Sequence, residues 1–320
     1  MNTPVKIGGF ALGLAAVFAA ALAVGSAVGP APVSTNAAQA TTLTGGTADP
    51  MAAMNEVDGN PAELPGGLMS SQDGYTLQLG ERSLPAGPQN SVDFRILGPD
   101  GRPVTAYQVA HDKELHLIVV RRDLTGFQHV HPSRAADGTW TVPLDLSEAG
   151  EYRVFADFTP VGHDGITLGA DLTVAGSFAP IPLPAPSRTA QVDGYTVTLA
   201  GDLVAGQSSE LTLSVSRGGV PVTDLQPYLA AYGHLVALRD GDLAYLHVHP
   251  AGAPGDGVTP PGPGITFSAT IPSAGDYGLF LDFQHDGVVR TAAFIAHADP
   301  GSTAQTVSPE PAPASDGHGH

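Results

Sequence analysis

The sequence predicts an all-β chain of two tandem β-sandwiches, and three observations carry that expectation. A pattern of three histidines, His-x12-His-x-His-Pro, is written twice, as His116, His129, His131 and as His234, His247, His249, at one constant offset. Short runs rich in Val, Phe, Tyr, Leu and Thr recur between turn residues, which is the signature of strands rather than helices. Outside the N-terminal segment no long helical period appears.

The elements follow in order. Lys6 is followed by an uncharged apolar stretch, Gly8 to Gly29, long enough for a spanning helix. Residues 1–29 are therefore expected to be an uncleaved signal anchor, with a cleaved signal peptide as the alternative; the small-residue triplet Ala38-Gln39-Ala40 lies well downstream. Either way the rest of the chain is expected outside the cytoplasm, tethered to the cell membrane or secreted. Residues 30–65, rich in Ala, Thr, Pro and Gly, read as a flexible linker. The first repeat, 66–176, and the second, 191–298, begin alike, with Asp73-Gly-Tyr-Thr-Leu77 and Asp193-Gly-Tyr-Thr-Val197. They also end alike, in Ala149-Gly-Glu-Tyr-Arg-Val-Phe-Ala-Asp-Phe158 and Ala274-Gly-Asp-Tyr-Gly-Leu-Phe-Leu-Asp-Phe283. The Pro-rich stretch within 177–190 separates them as a semi-rigid spacer. Residues 299–320 read as a disordered tail ending in His318-Gly-His320.

In the first repeat the pattern predicts strands near Tyr75–Leu79, Ser91–Leu97, Glu114–Arg121, Phe127–Pro132, Thr139–Leu144, Tyr152–Phe158 and Thr167–Val174. Seven strands in a unit of this size suit a sandwich. The Ala-Gly-x-Tyr starts at Tyr152 and Tyr277 match the tyrosine corner that opens an immunoglobulin-type strand, so an immunoglobulin-like topology is expected over a closed barrel.

Composition narrows the chemistry. Thirteen Lys and Arg against 31 Asp and Glu give a formal net charge of −18, which repels nucleic acid and anionic lipid surfaces and favours cations. No cysteine is present, so any metal site must use nitrogen and oxygen ligands.

His116 to His131 reads as a β-hairpin bending at Arg122-Asp-Leu-Thr125, and the second repeat has Gly241-Asp242 at its bend. With a two- or four-residue loop His116 faces His131 and Ile118 faces His129, so all three imidazoles share a face; a loop of odd length scatters them. Three neutral imidazoles suit Cu(II), Zn(II) or Ni(II) and leave a fourth position open. Ile118, Val120 and Phe127 would give such a site a dry floor. Asp157 and Asp282, at equivalent places in Phe-x-Asp-Phe, are weaker candidates as ligands or as partners that orient a histidine. His163 and His285 are candidates for peripheral ligands, whereas His111 and His297, without a counterpart in the other repeat, read as incidental.

The runs His116-Leu-Ile-Val-Val-Arg-Arg-Asp-Leu-Thr-Gly-Phe-Gln-His-Val-His-Pro132 and Phe155-Ala-Asp-Phe-Thr-Pro160 resemble exported bacterial domains of the YtkA-like, heavy-metal-binding type. The second repeat resembles the same group. That resemblance implies copper handling outside the cytoplasm, with another exported metal-handling protein as a partner. Three functions compete at this point. The first is a membrane-tethered metal-binding protein with one three-histidine site per repeat. The second is a structural or interaction module of the envelope whose histidines only pack. A metalloenzyme comes third, because no nucleophile motif of the Gly-x-Ser-x-Gly type is present.

Overall fold

Alternation of buried and solvent-facing side chains builds one sheet of each sandwich. Along Thr139–Leu146 the residues Trp140, Val142, Leu144 and Leu146 are buried while the residues between them are not, so one face meets a core and the other meets solvent. The computed structural model describes residues 64–301. The expected anchor, most of the first linker and the tail lie outside the described residues. No helix among the described residues is long and apolar enough to cross a membrane.

Two β-sandwiches result. In the first, one sheet runs Ser71–Gln72, Tyr75–Leu79, Gly87–Leu97, Thr139–Leu146, Ser133–Arg134, and the facing sheet runs Ser83–Pro85, Ile166–Ala175, Gly150–Pro160, Leu115–Arg121, Gln128–Val130. The second repeats that order, with Tyr195–Ala200, Ser208–Arg217 and Gly264–Thr270 facing Val288–Asp299, Gly275–His285, Gly233–Arg239 and Tyr245–His247. In both, a short early strand lies parallel to the last one, Ser83–Pro85 beside Ile166–Ala175 and Leu203–Val204 beside Val288–Asp299. This is the immunoglobulin-like arrangement. Each sandwich closes over its own core, one around Phe94, Trp140 and Leu168, the other around Phe267, Leu279 and Phe283.

The tyrosine corners are formed. Tyr152 donates its hydroxyl proton to the Glu148 carbonyl and Tyr277 to the Ser273 carbonyl, each at 2.8 Å. Replacing either tyrosine with phenylalanine removes one hydrogen bond with little change of shape, and is expected to cost about 1 kcal/mol. Chemical denaturation checks it; an unchanged midpoint in both variants would count against a stabilising corner.

The two sandwiches are parts of one compact unit. A third apolar cluster joins them, drawing Ile118, Val120 and Phe155 from the first repeat and Val236, Leu238 and Phe280 from the second. The seam is nearly self-complementary: Phe127 stacks on Phe280 at 4.0 Å between centroids, and the equivalent pair, Tyr245 and Phe155, meets at 5.6 Å. The outer faces of equivalent sheets are thus turned toward each other. Leu117 and Val119 point into the first core while Ile118 and Val120 point into the seam, so this strand is buried on both faces. Gly67 sits against the same seam at φ +72°, where an added Cβ would lie 2.3 Å from the Phe155 ring; only glycine fits there.

Candidate metal centre

Hairpin register brings the three histidines of the first repeat together. Leu117 pairs with Val130, Ile118 with His129 and Val119 with Gln128, so an even number of residues lies in the bend and the imidazoles share one face. The bend is held by Asp123, which accepts from Arg121 Nε at 2.9 Å, Arg121 Nη2 at 2.8 Å and Thr125 Oγ1 at 2.7 Å. The second repeat keeps the register, with Val236 opposite His247.

His116, His129 and His131 each offer one ring nitrogen, and these atoms all lie within 4.8 Å of one another. Their protonation is dictated by what they touch. His116 donates from Nε2 to the Ala110 carbonyl at 3.1 Å, and His129 donates from Nδ1 to Asp282 at 2.7 Å. In the neutral rings the opposite nitrogens, Nδ1 of His116 and Nε2 of His129, carry lone pairs and face each other at 3.2 Å; Nε2 of His131 is 3.1 Å from the same His116 Nδ1. Two lone pairs at that distance repel unless a proton or a cation lies between them. An ion bound tetrahedrally at about 2.0–2.1 Å from each nitrogen spaces its ligands by about 3.3 Å and the ring centres by about 5 Å. The observed ring centres are 5.4, 4.9 and 5.0 Å apart.

Burial keeps His116 and His131 neutral. It is the largest influence on both His131, pushed down to about 3, and His116, pushed down to about 4, from an ordinary 6.5, and neighbouring imidazoles add to it. Neutral imidazole is the form a metal requires.

Asp282 comes from the second repeat, so the site lies at the seam. Sequence reasoning set Asp157 and Asp282 beside the histidines of their own repeats. The strand pairing does place Asp157 next to His116 and Asp282 next to His234, but Asp282 reaches across to His129, with both side chains almost fully buried. Asp157 accepts from Thr167 at 3.2 Å and from the Tyr245 hydroxyl, also across the seam, at 3.4 Å. His234, buried where its counterpart His116 is half-buried, donates from Nε2 to the Tyr228 carbonyl at 2.8 Å. The side chains of His247 and His249 lie outside the described residues. A cleft of about 490 Å³ opens beside the cluster, lined among others by His111, His116, His129 and His234.

Two candidate ligands are placed elsewhere. His163 packs edge-on against Tyr75, and His285 against Tyr195, whose hydroxyl is 2.7 Å from its Nδ1. Tyr75 and Tyr195 are the tyrosines of the repeated Asp-Gly-Tyr-Thr motif, so these two histidines occupy equivalent packing positions away from the three-histidine group. His111, read from the sequence as incidental, instead stands beside the cluster, 6.2 Å from His116 and 5.3 Å from His234 between ring centres. The signal for this inter-repeat arrangement was present in the unbroken apolar runs Leu117-Ile-Val-Val120 and Leu235-Val-Ala-Leu238, which mark strands covered on both faces.

A family model described as "Domain of unknown function (DUF8832)" matches residues 70–176 and again residues 190–300. Comparison with curated proteins gives no match. Similar solved structures include FdeC, an Escherichia coli adhesin, at 17% identity and a TM-score of 0.25, covering 71% of this chain and 65% of that one. Invasin, a bacterial integrin-binding protein, is 14% identical with a TM-score of 0.21, over 71% and 40%. InvD of Yersinia pseudotuberculosis is 13% identical with a TM-score of 0.24, over 74% and 61%. The chain spans less than two thirds of each of these. The tandem repeat read from the duplicated pattern is matched, whereas the YtkA-like, copper-associated resemblance finds no support among these comparisons.

Proposed function

We propose that this chain, which belongs to the DUF8832 family of domains of unknown function and carries that domain twice, is an exported metal-binding protein that holds Cu(II) or Zn(II) on His116, His129 and His131. One observation carries this reading: three ring nitrogens converge, and in the neutral rings two of them present lone pairs because their partner nitrogens are committed to a carbonyl and a carboxylate. A carboxylate that holds the far nitrogen of a metal-bound histidine fixes its tautomer and raises its basicity. The matching orientation of His234 by Tyr228 supports a second group formed with His247 and His249. Export and a membrane tether rest on the apolar stretch Gly8 to Gly29, and a buffering or delivery role suits duplicated binding groups better than turnover.

Titration of the purified chain with Cu(II) or Zn(II) tests the reading, and the absence of stoichiometric binding would end it. Asp282→Asn is expected to weaken the first equivalent by about 10- to 100-fold; full affinity in that variant would show that the carboxylate does not position His129. A second reading, an envelope interaction module whose histidines only pack, draws support from the aromatic seam that fixes the two sandwiches together. It predicts no stoichiometric metal, so the same titration separates the two.

A further inference from the structure

His111 stands on a four-residue turn that both repeats possess. In the first repeat Ala110 and Lys113 exchange backbone hydrogen bonds at 2.9 and 3.0 Å, and in the second Tyr228 and Ala231 do so at 2.8 and 3.2 Å. The two central residues have positive φ in both, 49° and 62° at His111 and Asp112, 52° and 59° at Leu229 and Ala230. The carbonyl that opens each turn is the one that accepts from His116 or His234. The turn therefore has a job in both repeats, and it does not need histidine: Leu229 fills the same position with the same backbone.

What the histidine adds is reach across the seam. The His111 and His234 ring centres are 5.3 Å apart with ring planes at 83°. That separation falls within the 4.9 to 5.4 Å found among the three rings of the first group, and near the about 5 Å expected for two imidazoles on one tetrahedral ion. His234 spends Nε2 on the Tyr228 carbonyl, so its Nδ1 keeps a lone pair. Both residues line the cleft beside the first group, and the chain's net charge of −18 draws cations to it.

We propose that His111 is a metal ligand given by the first repeat to the second: with His234 it binds a second late first-row divalent cation, Cu(II) or Zn(II), across the seam. The inference rests on the metal-binding reading above and goes beyond it. The second ion is held by residues of both repeats, so its binding clips the sandwiches together. His111 then acts as the residue by which the two binding groups differ, because the turn of the second repeat offers leucine in its place.

The test is calorimetric titration of the full chain with zinc(II) chloride. The wild type is expected to bind in two steps. His111→Leu, which installs the residue the second repeat uses at this turn, is expected to lose the second step or weaken it about tenfold or more while leaving the first unchanged. His111→Asn, a residue suited to positive φ, gives the same result without adding apolar surface. Both steps unchanged in the two variants would reduce His111 to packing and overturn the proposal. A wild type with a single step would overturn it and leave the first group standing; a wild type that binds no zinc would end both readings.

Discussion

Replacing His131 with alanine is expected to abolish tight binding of the first metal equivalent, with a fall of about a hundredfold or more in affinity, or about 2.8 kcal/mol at 1.4 kcal/mol per decade. The reason is geometric. His116 and His129 are each tied by one nitrogen to a fixed acceptor, and neither can rotate to take over a lost position. With His131 gone, the first ion loses one of its three protein nitrogens. The fold should survive, because His131 is only partly buried and its neighbour Val130 continues to pack against the first core. Combining His131→Ala with His249→Ala is expected to remove all tight binding. His163→Ala and His285→Ala are the controls: their rings pack on Tyr75 and Tyr195 and should leave the titration unchanged. A competition assay against a chromophoric chelator reads every variant, and wild-type affinity in His131→Ala would sink the three-histidine site.

Much of this was legible before any coordinates. The strand at Tyr75–Leu79 coincides with its sequence expectation, and the longer strands differ mainly at their ends, as with Gly150–Pro160 against Tyr152–Phe158. Ends are set by ladder partners that the local pattern does not contain. Short strands such as Ser83–Pro85 and Tyr107–Gln108 were missed because two or three residues carry no period. The hairpin register followed from loop parity, a local property. What escaped was the seam. Asp282 and His129 stand 153 residues apart, and a carboxylate that reaches into the other repeat leaves no trace in spacing within its own. Ile118, Val120 and Phe127, expected from the sequence as a floor for the histidines, form that seam, with the histidines at its edge. The unbroken apolar runs carried this information, since a strand with one solvated face would alternate.

The metal-free chain is expected to lose stability as pH falls from about 6.5 toward 4, while metal affinity holds over much of the same range. In the folded chain burial pushes His131 down to about 3 and His116 to about 4. Like-charge neighbours act in the same direction, His129 and His234 on both and Lys113 on His131; the Ala110 carbonyl and Asp157 oppose the shift at His116. Once unfolded, both rings titrate near 6.5. Between those values the unfolded chain binds protons that the folded chain refuses, so acid favours unfolding, and the slope runs toward greater stability as pH rises. Asp123 adds a separate loss in a lower window: burial raises its carboxyl, but Arg121, the Ile181 amide and Thr125 outweigh that and hold it at about 2, against an ordinary 3.8. Melting curves from pH 7.5 to 4 check the first window, and a flat Tm would refute it. For the metal the consequence is opposite to what ordinary imidazoles predict. At pH 5 a free imidazole of pKa near 6.5 is neutral in only about one molecule in thirty, so a site built on such rings would weaken steeply. His116 and His131 remain neutral in the folded chain at that pH, and affinity between pH 7 and 5 should change far less than two ordinary rings would require. Added zinc should therefore still raise the Tm near pH 5, where the metal-free fold is weakened and His116 and His131 remain deprotonated.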